Sequence, residues 1–202
     1  LAKPLSDQDI EERRGELVAT ALTILEADGI TALTLRRLAE DAGVSRQTPY
    51  LYFKDKAALV DAMCVAGIKR LTASSSRAVL EASAKGPIEQ LRMAGETYVR
   101  FGLQNPNLYA LIFNPAKINA KPSEAMAEAI AENSAVSRSL MQRAWDEGRI
   151  SMEPERLNNV FWAALHGLIS LRHDGLICDD ETFSQVLADV EQTLARGFLR
   201  EA

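Results

Sequence analysis

The residues with the most chemistry to offer lie between Thr34 and Lys56, in the run TLRRLAEDAGVSRQTPYLYFKDK. It carries the guanidiniums Arg36, Arg37 and Arg46, the ammoniums Lys54 and Lys56, and the rings of Tyr50, Tyr52 and Phe53. Two short helices joined by a Gly-containing turn, followed at once by an aromatic and basic run, have the shape of a helix-turn-helix. Such a unit grips DNA with its second helix in a major groove. No comparable constellation points to catalysis. The chain has no Gly-rich phosphate loop, no nucleophile-elbow pattern and no carboxylate-histidine cluster. His166 and His173, with Cys178 and Asp180 shortly after, could hold a metal on paper, but no ligand-spacing motif supports it. Ordinary packing is the preferred reading there.

The elements that must position this run belong to a chain of 202 residues, 47% hydrophobic and 25% charged, the composition of an ordinary globular protein. No apolar run approaches the roughly 20 residues of a membrane span, and the first residues lack a basic-then-apolar signal pattern. Cys64 and Cys178 are far apart and show no CxxC spacing, so neither a zinc site nor a disulfide framework is expected. A reducing cytoplasm is the expected compartment. The net charge of −5 argues by itself against a nucleic-acid partner. Counted locally, however, Thr34 to Lys56 holds five basic residues against Glu40, Asp41 and Asp55. Phosphate attraction acts within about a Debye length, so a basic face can bind DNA on an acidic protein.

Helical spacing runs nearly throughout. Leu17, Val18, Ala21, Leu22 and Leu25 mark a first helix that Asp28-Gly29 should stop. Thr34 is the expected cap of a second, with Leu35, Leu38, Ala39 and Ala42 inward, and Ser45 of a third. Asp55 opens a fourth helix that reaches the small-residue stretch Thr72 to Ser76, and Lys85-Gly86-Pro87 is the clearest break. Further helices are expected over Ile88 to Leu103 and Ser123 to about Glu147, around a short segment from Leu108 to Phe113 and a loop from Pro115 to Pro122. The last two, near 155–174 and 181–200, are the most apolar. With no convincing strand or repeat, the expected fold is all-α: a small N-terminal bundle, residues 1–56, and a larger C-terminal bundle, residues 57–202.

Laid out this way, the N-terminal third resembles the tetracycline-repressor (TetR) family of bacterial regulators. The resemblance runs from Ala21 to Val60: a Gly after the first helix, TLRRLA in the second, a GVS turn, and a Tyr-x-x-Phe-x-x-Lys run in order. In the C-terminal body, FWAALHGLISL (Phe161 to Leu171) resembles the Trp-x-x-x-His-Gly signature of one subtype of that family. The resemblance implies a homodimer that binds two half-sites of a palindromic double-stranded operator. It also implies dimerisation through the last two helices and an enclosed pocket for a small-molecule effector, whose binding releases the DNA. No cofactor is implied.

Roles carry over onto the matching positions. Arg36 near the start of the second helix, and Arg46, Gln47 and Tyr50 on the third, are the expected base readers. Arg suits guanine O6/N7, Gln suits adenine N6/N7, and a tyrosine face can meet a thymine methyl. Thr34, Ser45, Thr48, Tyr52 and Lys56, with Lys54 as a weaker case, are the expected phosphate contacts. Arg37 is expected instead to pair with Asp41 at i, i+4 on a solvated face. Pro49 departs from the common pattern, since many relatives carry Leu there, and it leaves the pitch of the third helix open. Tyr98, Phe101, Tyr109, Phe113, Trp145, Trp162 and His166 are candidate pocket residues, although aromatic stripes at helical spacing are more often core. The function expected is a ligand-responsive transcriptional repressor and not an enzyme. The alternatives are a helical protein-interaction module or, less favoured, an enzyme with a helical-bundle active site.

Overall fold

The computed structural model describes residues 6–113 and 123–200. Among these it is all-α, as expected, with nine helices and only an isolated bridge between Ile150 and Leu199 in place of any strand. The helices are α1 (Asp7–Ala32), α2 (Leu35–Asp41), α3 (Thr48–Tyr52), α4 (Lys56–Glu81), α5 (Pro87–Gln104), α6 (Pro106–Phe113), α7 (Glu124–Asp146), α8 (Pro154–His173) and α9 (Asp180–Phe198). The loop expected from Pro115 to Pro122 lies outside the described residues. No described helix is long and apolar enough to cross a membrane.

Contacts divide the chain into two compact units: Leu1–Ile68 with Asn105–Ala129, and Lys69–Gln104 with Ile130–Ala202. In the first unit, α1 buries Leu17, Val18, Ala21, Ile24 and Leu25. Its helical geometry breaks at Gly29, where φ is 76° and ψ 174°. That conformation is open almost only to glycine, so the expected stop is a kink that redirects the chain toward α2. Thr34 caps α2 as expected, its hydroxyl accepting from the Arg37 N–H at 3.0 Å. Leu35, Leu38 and Ala39 are buried, while Ala42 is only half-buried. The Asp55 carboxylate accepts from the Ala58 N–H at the start of α4. That helix runs on through the small-residue stretch to Glu81. Serine and alanine there carry no φ/ψ conflict with a helix, so nothing ends it before the 3-10 turn Ser83–Lys85.

The second unit is built on a core of Leu91, Leu140, Met141, Ala144, Ile150, Leu157 and Phe198, with Phe161 set edge-on to Phe198 at 5.3 Å. Its α5 and α8 approach closely because Gly102 carries no Cβ. A methyl there would lie 2.9 Å from both Cδ1 and Cγ2 of Ile169. At the start of α8, Pro154 occupies the first turn, where no N–H is needed, and Glu153 accepts from the Glu155 and Arg156 N–H groups.

Candidate nucleic-acid interface

The second and third helices form a short corner. After Asp41 the chain turns through Gly43 (φ 65°), and the Val44 N–H bonds back to the Ala39 carbonyl at 3.0 Å. One more turn follows before α3. Arg46 and Gln47, expected on the third helix, sit in that turn, and α3 itself starts at Thr48. Ser45 does not cap α3 by its side chain as expected. Its hydroxyl instead meets that of Thr48 at 2.9 Å, and its carbonyl accepts from the Thr48 N–H. The physical reason is Pro49. Proline has a fixed φ and no N–H to offer a cap, so it fits the first helical positions and sets the helix start close to itself.

A five-residue helix has no stability of its own. Its anchors are Pro49 and Phe53, four residues apart and both buried, joined by a bond from the Phe53 N–H to the Pro49 carbonyl at 2.9 Å. Arg14 of α1 lies 5.5 Å over the Phe53 ring. With 49 and 53 turned inward, positions 50 and 51 must face out: Tyr50 is 60% exposed and Leu51 79%. Leu51 was absent from the expected site, yet the i, i+4 spacing of Pro49 and Phe53 was the signal that could have found it. Tyr52 is half-buried.

The guanidiniums divide by partner. Arg37 bonds to Asp41 at 3.0 Å, as expected, and also to Asp28 at 2.8 Å. The Asp41 bond first, then the Asp28 bond, hold its pKa above the ordinary guanidinium range. Arg36 and Arg46 share a different carboxylate. Arg36 Nε lies 3.0 Å and Arg46 Nη2 3.7 Å from the same oxygen, Glu40 Oε1. Two side chains from α2 and from the following turn are thereby brought to one spot, with about 70% of each side chain exposed. Gln47 and Lys54 are exposed too, while Lys56 is half-buried and donates to the Ile30 carbonyl at 2.7 Å. That bond ties α4 to the segment just past the Gly29 kink.

With this geometry in place, comparison with known proteins is decisive. Residues 17–63 match the family model described as bacterial regulatory proteins, tetR family. Residues 91–196, half of the chain, match the tetracyclin repressor-like C-terminal domain. The chain belongs to the TetR family. Members of that family are DNA-binding transcriptional regulators that respond to ligands, and they are not enzymes. The class C tetracycline repressor protein of Escherichia coli is 44% identical over 54 residues, 27% of this chain. The chain spans only about a quarter of the length of that relative, 25%. A solved protein from Rhodococcus sp. RHA1 is 31% identical with a TM-score of 0.81, covering 93% of this chain and 95% of that one. A TetR family transcription regulator from Marinobacter aquaeolei VT8 has the same fold at 18% identity, with a TM-score of 0.66 over 97% of this chain and 100% of its own.

The candidate effector residues of this TetR-family chain fall into different places. In the second unit, the Trp162 indole N–H donates to the Tyr98 hydroxyl at 3.2 Å, and its ring stacks on His166 at 5.5 Å. Burial lowers the His166 pKa. Phe101 is buried, whereas Trp145 on α7 is 38% exposed. Tyr109 and Phe113 belong to the first unit, where their rings pack at 4.6 Å and Tyr109 is buried. His173 meets the Gly102 carbonyl through Nε2 at 3.1 Å.

Proposed function

We propose that this TetR-family chain is a transcriptional repressor that binds a palindromic operator as a homodimer in the cytoplasm and is released by a small-molecule effector. The observation that carries the DNA reading is the convergence of Arg36 and Arg46 on one exposed spot beside Gln47 and Tyr50. These four are the proposed base readers, and Leu51 joins them as an apolar group able to meet a thymine methyl. Thr34, Ser45, Thr48, Tyr52, Lys54 and Lys56 are the proposed phosphate contacts, with residues 1–56 as the reading domain. Of these, Lys56 already spends one of three N–H donors on Ile30, which leaves two for phosphate.

For the second unit, the Trp162–His166 pair is what favours the Trp-x-x-x-His-Gly subtype: the signature residues are in contact, one turn apart on α8. We place effector recognition at Tyr98, Trp162 and His166, where two polar tips accompany aromatic surface. Dimerisation is assigned to α8 and α9. Leu171 is exposed, and Val186, Leu187, Val190 and Leu194 stay only half-buried in the single chain. Selection of bound duplexes from random DNA, followed by a salt titration and a metabolite panel, tests the whole reading. A palindromic consensus whose affinity falls steeply with salt is expected. Sequence-indifferent binding, or a monomeric mass at micromolar concentration, would overturn it.

A further inference from the structure

Among the described residues, Glu40 is the carboxylate paired with the arginines proposed to read bases, and an anion facing DNA needs a reason. Its Oε1 engages Arg36 through Nε, not through the terminal nitrogens. A guanidinium held by Nε keeps its Nη1 and Nη2 fork available, and a guanidinium fork is what guanine O6 and N7 accept in a bidentate contact. Arg46 is held more loosely, through Nη2 at 3.7 Å. Both arginines are long, exposed side chains that would otherwise sample many rotamers, and fixing such a side chain on binding carries an entropic cost.

We propose that Glu40 is a specificity-determining positioning residue: it orients Arg36 for bidentate base contact and holds Arg46 back from phosphate until a cognate base replaces it. The inference rests on the proposed reading that Arg36 and Arg46 address bases. At a non-cognate site the carboxylate competes with phosphate oxygens for both cations and repels the backbone, which weakens non-specific binding. At the cognate site, bases satisfy the free nitrogens and the Nε contact can persist. Glu40 therefore raises the ratio of specific to non-specific affinity.

Asp41 is the matched control. It is the next residue, carries the same charge, and pairs with Arg37, which keeps Asp28 at 2.8 Å if Asp41 is removed. The experiment measures affinity for a selected operator duplex and for a scrambled duplex, using the full chain and Glu40→Ala, Glu40→Gln and Asp41→Ala. Exposed pairs of this type are worth small factors each, so Glu40→Ala should lower the specificity ratio by roughly 3- to 10-fold. It should also steepen the salt dependence on scrambled DNA by about one unit of slope. Asp41→Ala should raise both affinities by a common factor and leave the ratio unchanged. Glu40→Gln keeps an oxygen for Arg36 Nε without the charge, so it should recover part of the ratio lost in Glu40→Ala.

A ratio that falls equally in Glu40→Ala and Asp41→Ala would overturn the proposal, because charge alone would explain it. Failure of Glu40→Gln to improve on Glu40→Ala would overturn the positioning role. Failure of the DNA reading looks different: the unmodified chain itself would then show no preference between the two duplexes.

Discussion

Tyr50 and Trp162 are both large aromatic side chains that the fold leaves substantially exposed, yet they are exposed for different reasons. Tyr50 sits on a five-residue helix whose inward positions are already taken by Pro49 and Phe53, so its ring is displayed by default. Trp162 sits on the 20-residue α8 and is tethered within its own unit, by a hydrogen bond to Tyr98 and a stack on His166. The reading end thus presents loosely held polar and cationic tips that a duplex can recruit one by one. In the second unit, the aromatic cluster is already a small network, tied by the Tyr98 hydrogen bond and the His166 stack.

The difference is broken most directly at Arg46. Substitution Arg46→Ala removes a single exposed side chain whose ion pair with Glu40 is loose, so folding should be unaffected. The lost base contact should cost about 1–3 kcal/mol of specific binding, roughly 5- to 150-fold in Kd, and relax preference at one operator position. Titration of selected and point-substituted duplexes measures it. A uniform loss across all sequences would reassign Arg46 to phosphate.

These two regions also differ in how far the sequence revealed them. The helix-turn-helix was legible because its signals are local: Thr34 as a cap, Gly43 in a left-handed turn, and alternating inward and outward positions within a few residues. Even there, α3 starts at Thr48 rather than directly after Ser45, because a proline that reads in sequence as a break in the pattern is in the fold the beginning of the helix. Arg37 could be paired with Asp41 from i, i+4 spacing, but its bond to Asp28 depends on the Gly29 kink. Glu40 divides the same way: its pair with Arg36 follows i, i+4 spacing, whereas its link to Arg46 crosses the turn and has no helical period. In the second unit, Tyr98 and Trp162 lie on separate helices, and their pairing depends on how α5 meets α8. No spacing rule foretells that Trp162 reaches Tyr98, 64 positions away, whereas the Trp162–His166 stack and the Tyr109–Phe113 contact follow the i, i+4 spacing of a single helix.

That dependence on helix packing makes Gly102 the next test. In Gly102→Ala the added methyl would sit 2.9 Å from two atoms of Ile169, which is fully buried and has little room to yield. Overpacking of this sort costs about 1–3 kcal/mol, and each 1 kcal/mol lowers Tm by about 2–4 °C in a chain of this size. The Tyr98–Trp162 bond spans the same α5–α8 seam, so thermal melting and tryptophan emission should change together. Ile169→Ala in the Gly102→Ala background should lose less than the two single losses combined, because it removes the atoms in conflict. A Tm unaltered by Gly102→Ala would show that the two helices can part without cost, and the contrast with the reading end would vanish.

The smallest effect expected belongs to His166. Burial disfavours its charged form, so its folded pKa lies below the ordinary 6.5. The unfolded chain therefore takes up the proton first as pH falls. This histidine contributes nothing adverse above 6.5, and stability drains away as the pH drops from 6.5 through the lowered folded value. The stacked indole supplies a local reporter, since a protonated imidazole quenches tryptophan emission at contact. The chain has two tryptophans, so Trp145→Phe leaves Trp162 as the only emitter. Its emission should then fall on acidification with a midpoint below 6.5, and His166→Gln should flatten the curve. A midpoint at 6.5 would mean that water reaches the ring freely, making His166 as open to solvent as the tips around Tyr50, and one above 6.5 that a neighbouring anion holds the charged form.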